Sequence, residues 1–196
     1  MSETRSYPRR IKTEAGDIEF RLMAQADEAA VLAFAQKLPA HDLLFLPRNI
    51  SQPKVLSAWV KEIERGAITS LLAVKNGAVV GCGTLVRDPH SWSPHVGEIR
   101  MVVSQDVRGQ GVGRALSQET FAIALGAGLE KFSVQMTVDQ RAAIALFESL
   151  GFKAEALLRD HVRDVEGKTH DIVVLGHNVA QVRAQMEAYG LPAAVQ

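Results

Sequence analysis

Residues 107–116 read VRGQGVGRAL, and this stretch decides how the rest of the chain is read. Gly109, Gly111 and Gly113 alternate with Gln110 and Val112, Arg108 and Arg114 bracket them, and an apolar helical pattern begins at once. Just upstream, GEIRMVV (97–103) has the character of a strand. A strand, a turn stripped of side chains and a helix whose first N–H groups point back at that turn make a backbone-lined anion site. Spacing excludes two commoner phosphate motifs. A dinucleotide fingerprint needs a third glycine where Arg114 stands, and the Gly-Lys-Ser/Thr of a P-loop is absent. Taken alone, the three glycines would also suit a simple tight turn.

Working outward, the chain alternates in type. IEFRLM (18–23) reads as a strand, and Asp27 is placed to cap a helix over EAAVLAFAQKL (28–38). PAHDLLFLPRNISQP (39–53) is broken by prolines and cannot be one regular element. KVLSAWVKEIERG (54–66) predicts a helix with Leu56, Trp59, Val60 and Ile63 on one core-facing stripe and Gly66 as its stop. AITSLLAVKNGAVVGCGTLVR (67–87) is a hairpin turning at Asn76-Gly77, and HVGEIRMVV (95–103) is its third strand. After the glycines come a helix to about Leu125, the strand KFSVQMTV (131–138) and the helix QRAAIALFESL (140–150) ended by Gly151. Two late strands, FKAEALLRDHVRD (152–164) and HDIVVLGH (170–177), and a closing helix QVRAQMEAYG (181–190) complete the order. This is a mixed α/β chain with an antiparallel meander in front and a βαβ unit behind. One domain over 17–190 is expected, between a flexible start (1–16) and a short tail (191–196).

Composition narrows the function classes. The 22 Lys and Arg balance the 22 Asp and Glu, so no global field draws nucleic acid or an anionic membrane, and any anion must be bound locally. Cys82 is the only cysteine, which excludes an internal disulfide and leaves no Cys/His cluster for a metal. No apolar export core follows the basic N-terminus and no run of about 18 apolar residues occurs. A cytoplasmic protein is expected.

The motif at Arg108–Gly113, RGQGVG, resembles the Q/R-x-x-G-x-G/A signature of the GNAT superfamily of acyl-CoA-dependent N-acetyltransferases. QRAAIALFESLGF (140–152), ending in Leu150-Gly151-Phe152, is similar to the same family's second coenzyme A helix. The resemblance, to a bacterial-type single-domain member, spans roughly residues 17–178 and implies a mixed sheet of about six to seven strands flanked by helices. It implies acetyl-CoA as cosubstrate, no metal, and an amine acceptor on a small molecule or a protein. The amides of Arg108, Gly109, Gln110, Gly111, Val112 and Gly113, with Arg114 beside them, would hold the pyrophosphate, and the edge at Val102 and Val103 would pair with the pantetheine. A homodimer is compatible with it.

Acetyl transfer needs a neutral amine, and alkyl amines titrate near pH 10, so a base helps at neutral pH. Glu98, in the strand leading to the glycines, resembles the family's general base; the alternative is an outward-facing carboxylate paired to Arg100 or to a neighbouring strand. Two positions depart from the family pattern. Phe147 stands where a tyrosine usually serves as acid toward the leaving thiolate, and Gln140 replaces the asparagine that opens the helix. The only tyrosines are Tyr7 and Tyr189, neither an obvious substitute. Cys82, between two glycines in a strand, reads as core, and His95, His161 and His170 read as strand-end histidines that could also relay a proton. Segment 39–53 reads as a lid, a core anchor or a dimer contact. Two functions therefore stand beside each other: an N-acetyltransferase, and a coenzyme A-binding sensor that has lost turnover.

Overall fold

The structure, a computed structural model, describes residues 5–180. Its elements are β1 (Arg9–Thr13), β2 (Gly16–Leu22), α1 (Glu28–Lys37), α2 (Pro53–Glu64), β3 (Ile68–Lys75), β4 (Ala78–Val86), β5 (Val96–Val103), α3 (Val112–Gly126), β6 (Lys131–Thr137), α4 (Arg141–Ser149), β7 (Lys153–Arg163) and β8 (Thr169–Asn178). They build one sheet in the order β1-β2-β3-β4-β5-β6-β8-β7. Every neighbouring pair is antiparallel except β5–β6, which the α3 crossover makes parallel. Helices α1 and α2 cover one face over Leu72, Cys82 and Val102, while α3 and α4 cover the other over Leu71, Ile99 and Phe132.

The described sheet has eight strands, not six or seven. The additional one is β1, drawn from residues expected to be a flexible start. It pairs with β2 in a tight hairpin from Arg9↔Phe20 to Thr13↔Gly16, and a long-range polar cluster ties this N-terminal segment to α3: Arg5 Nη1 and Arg9 Nη1 lie 2.7 and 3.1 Å from the Glu119 carboxylate, and the Tyr7 hydroxyl donates to it at 2.9 Å. The Glu119 side chain is only 3% exposed, so this charge needs those partners. Burial and the adjacent Glu119 push the Tyr7 phenol's pKa upward. The closing helix expected at 181–190 and the tail lie outside the described residues.

Local chemistry explains most of the other boundaries. Asn76 and Gly77 both take positive φ, 49° and 80°, as a two-residue primed turn requires. Asp27 stands at the N-cap of α1, but its side chain makes no capping bond: the carboxylate accepts two bonds from Arg21 of β2, at 2.7 and 2.6 Å, and one from the Ala24 N–H at 2.9 Å. A charge-assisted fork outcompetes a single capping bond, and the Arg21 guanidinium holds the Asp27 carboxyl below the usual range. In the GCG run of β4 the two glycines face α3. A Cβ at Gly83 would collide with Thr120 Oγ1, and one at Gly81 would meet Leu116 Cδ2 at 3.1 Å. Cys82 faces the other way, buried, with its thiol pushed up to about 12 by burial, so it is core and not a nucleophile.

Gly151, in the LGF run that ends α4, is needed twice over. Its φ is +90°, and a Cβ there would press to 3.2 Å from His177 Nε2. His177, 8% exposed, is packed edge-on against Phe121 at 5.1 Å and beside Phe152 at 5.3 Å, and its Nδ1 has no hydrogen-bond partner. Burial lowers its pKa, so the unfolded chain accepts a proton that the fold refuses. This contribution to stability is complete above about pH 6.5, the ordinary histidine value, and is lost as pH falls below it. Denaturant midpoints measured from pH 7.5 to 5 should fall with acidification, and His177→Gln should flatten that slope whatever it does to absolute stability.

Candidate active site

β5 and β6 stay paired only from Val96↔Lys131 to Ile99↔Val134. Beyond that rung β6 follows β8 through Thr137 while β5 continues beside β4, so the sheet opens between them. The Ser104 N–H donates to the Val80 carbonyl at 2.8 Å, which sets the alternation along β5. Arg100 and Val102 therefore turn their backbone groups toward β4, and Met101 and Val103 turn theirs into the opening. Of the two edge residues expected, Val103 presents the open backbone, with Met101 rather than Val102 as its companion.

The glycine stretch closes one end of this opening. Gly109 and Gly111 take φ of +72° and +83°, a left-handed backbone that costs glycine little, and Gly111 is the N-cap of α3. Gly113 has ordinary backbone geometry; a Cβ there would lie 3.8 Å from Leu146 and 3.9 Å from Val103, between α3, α4 and the end of β5. Gln110 turns its amide to the Asp106 carbonyl at 2.9 Å and accepts from the Ala15 N–H at 3.4 Å, so the β1–β2 turn braces the loop. Val112 is fully buried and anchors the first turn of α3. Arg114 reaches Ser149 Oγ of α4 at 3.3 Å.

Segment 39–53 divides its work. Leu43, Phe45 and Ile50 are buried and anchor it to the core. His41 and Asp42 form a strap across the opening. Asp42 Oδ2 lies 2.6 Å from Arg108 Nη2, and the same guanidinium donates to the Val103 carbonyl at 3.2 and 3.1 Å. On the other side His41 Nε2 is 2.7 Å from Asp139 Oδ2, at ion-pair distance but without hydrogen-bond alignment. Burial would raise the Asp139 pKa, yet nearby donors and His41 outweigh it and hold the carboxyl below its usual range. The His41 ring also meets His170 edge-on at 5.0 Å, and His170 Nε2 lies 2.7 Å from Asp164. Thus one of the three histidines singled out from sequence joins this strap, while His95 and His161 are exposed.

Glu98 and Arg100 project on the α1–α2 side of β5, at the rung where β6 departs. They form a two-point ion pair, Nε–Oε1 2.7 Å and Nη2–Oε2 2.9 Å, and each side chain is about a quarter exposed, 24% and 21%. Beside Arg100 lies a cavity of about 370 Å³, walled by Trp59, Leu46 and Ile50. Trp59, read from sequence as core, thus borders open space, with its indole N–H donated to Ser70 Oγ at 3.1 Å. Phe147 is packed in the core: 4% exposed, edge-on to Phe152 at 5.2 Å, and clustered with Ile99, Val134 and Met136. Gln140 is the N-cap of α4 and makes no side-chain capping bond. Among the described residues no group of three or more His, Cys, Asp or Glu is placed to hold a metal, and no helix is long and apolar enough to cross a membrane.

This arrangement can be set against known proteins. The sequence model of the acetyltransferase (GNAT) family matches residues 36–152, and the chain belongs to that family. It is 33% identical over 84 residues to the Mus musculus protein named probable N-acetyltransferase family 8 member 5, covering 42% of this chain and 37% of that one. The chain thus spans little more than a third of that relative's length. Among solved structures it superposes on a GNAT-family acetyltransferase of Streptococcus pneumoniae with a TM-score of 0.71 and 21% identity, covering 82% of this chain and 99% of the other. It superposes on yncA of Salmonella typhimurium, solved with acetyl-CoA, with a TM-score of 0.70 and 20% identity, covering 83% and 94%.

The strap engages the first residue of the glycine motif and the last carbonyl of the β5 edge. Loosening it should therefore ease entry of an anionic ligand. Asp42→Asn removes one partner of a partly exposed ion pair, worth about 0.2–1 kcal/mol, so acetyl-CoA should bind up to about five times more tightly. The gain should shrink in high salt, and calorimetric titration at two ionic strengths checks both expectations.

Proposed function

We propose that the chain is an acetyl-CoA-dependent N-acetyltransferase acting on a primary amine. The observation that carries this reading is the opening between β5 and β6, bounded at one end by the glycine loop and at its vertex by Glu98 and Arg100. The residues suit the cosubstrate. The free N–H groups at the start of α3, from Val112 to Arg114, with Gly109 and Gly111 leaving the approach bare, would take the pyrophosphate, and the Met101 and Val103 backbone would pair with the pantetheine amides. Acetyl-CoA supplies an acyl group already activated as a thioester. The backbone donors on β5 orient the carbonyl to be attacked, and the apolar cluster holding Phe147 excludes water from one side.

Glu98 is the base in this reading: Oε1 or Oε2, directly or through one water, accepts the proton from the incoming ammonium before attack. The Arg100 fork fixes where those oxygens sit. Glu98→Gln should lower turnover by about 10² to 10⁴ while leaving acetyl-CoA affinity unchanged. The loss should narrow as pH approaches the amine's own pKa of about 10. Thiol release measured against a panel of amines, paired with titration of acetyl-CoA, tests this, and full activity of the variant at neutral pH would place the base elsewhere.

Phe147 bears on a second reading, a coenzyme A-binding module without turnover, because the position of the family's usual acid holds a ring with no proton to give. Binding of acetyl-CoA with no transfer to any amine would select that reading. Since Phe147 is buried among apolar side chains, Phe147→Tyr should strand a hydroxyl and cost about 1–3 kcal/mol of stability without raising turnover. Thermal melts and steady-state rates on the same sample read both quantities. A faster enzyme would show that the hydroxyl reaches the leaving sulfur.

A further inference from the structure

The cavity beside Arg100 has a charge pattern that acetyl transfer by itself does not require. Its walls are apolar: Trp59, Leu46, Ile50, Val55 and Ile68. Three charged side chains border it, Arg48, Glu62 and Arg100. Two of them are already matched. Arg100 is held by Glu98 in the two-point pair, and Glu62 Oε1 lies 2.9 Å from Arg65 Nη1. Among the described residues Arg48 has no ion-pair or hydrogen-bond partner. The indole N–H of Trp59 is committed to Ser70, so the ring offers packing surface only. The cavity thus combines an aromatic and aliphatic wall, the Arg48 guanidinium without a partner, and at its β5 side Arg100, which holds Glu98.

A larger cavity of about 700 Å³ lies on the far side of the same proline-stiffened turn, between the end of α1 and the tip of the β7–β8 hairpin. Arg48 borders it too, but none of its lining residues belongs to β4, β5 or β6, so it does not reach the opening. The smaller cavity lies against β4 and β5 through Thr84 and Arg100, the latter being the partner of Glu98, and its volume of about 370 Å³ is at the lower end of the range for small-molecule sites.

We propose that this smaller cavity is the acceptor site and that it takes a small amine bearing both a carboxylate and an apolar or aromatic group, of the size of a hydrophobic α-amino acid. Arg48 receives the carboxylate, Trp59 and its aliphatic neighbours take the side group, and the amine is left facing Glu98. The assignment rests on the acetyl-transfer reading above and adds the acceptor class to it. A guanidinium suits this role because it offers a carboxylate two parallel N–H donors, and a charge-assisted bond near an apolar wall is stronger than one in open water.

The test compares L-phenylalanine and L-leucine with phenylalaninamide and phenethylamine, in wild type and in Arg48→Gln. Two readouts are used: thiol release from acetyl-CoA, and calorimetric binding of each amine to the protein saturated with coenzyme A, which needs no turnover. The wild type should favour the carboxylate-bearing amines at least tenfold in both. Arg48→Gln should abolish that preference while leaving acetyl-CoA affinity and the weak use of phenethylamine unchanged. Equal binding of acid and amide, no binding of either amino acid, or an equal loss for all four amines in Arg48→Gln would overturn the proposal. Arg48-dependent binding of phenylalanine without transfer would uphold the site and sink the acetyl-transfer reading. Brisk transfer to phenethylamine alone would do the reverse.

Discussion

The structure depends on a short parallel pairing. β5 and β6 share rungs from Val96 to Ile99 and then separate, while each keeps its antiparallel partner on its outer side, β4 for one and β8 for the other. The separation leaves backbone groups of Met101 and Val103 without a strand to answer them, in the interior of a sheet where unpaired amides are costly. The rest of the site is arranged around that gap. The α3 N-terminus ends it, α4 and its apolar cluster flank it, and the strap of His41 and Asp42 lies across it.

Close packing keeps the gap in register with the glycine loop. α3 sits near enough to β4 that Gly81 and Gly83 have no room for side chains, and the β1–β2 turn touches the loop through Ala15 and Thr13. The same helix is held from behind by Arg5, Tyr7 and Arg9 on Glu119. Both ends of the helix's first half are therefore fastened, which fixes its N-terminal amides relative to the gap.

Electrostatics around the opening is local, as the neutral net charge requires. Nearly every charge bordering it is matched within a few residues or across the gap: Glu98 with Arg100, Asp42 with Arg108, His41 with Asp139, His170 with Asp164. Matched pairs position groups without creating a field that binds ligands by sign alone. Against that background the proposed acceptor site rests on Arg48, which borders an apolar cavity and has no such partner among the described residues.

Sequence by itself determined what short-range chemistry determines. Alternation and helical spacing located β2 to β8 and the four helices; Asn76-Gly77 located the hairpin; and the glycines between Arg108 and Arg114 located the turn that opens α3, because positive φ and bare backbone are local needs that few residues meet. The LGF end of α4 was legible for the same reason. What only the tertiary structure decided were meetings between distant residues. The ties of the β1 segment to Glu119, more than a hundred positions away, leave no local mark. Asp27 was misread because Arg21 on a neighbouring strand outbid the helix end for its carboxylate. That Phe147 is packed in the core, that Val102 faces β4 and Val103 the gap, that His41 and Asp42 span it, and that Arg48 is left without a partner all depend on which side chains the fold brings together. No periodicity along the chain records that, since the energy of such a contact resides in pairs and not in either residue alone.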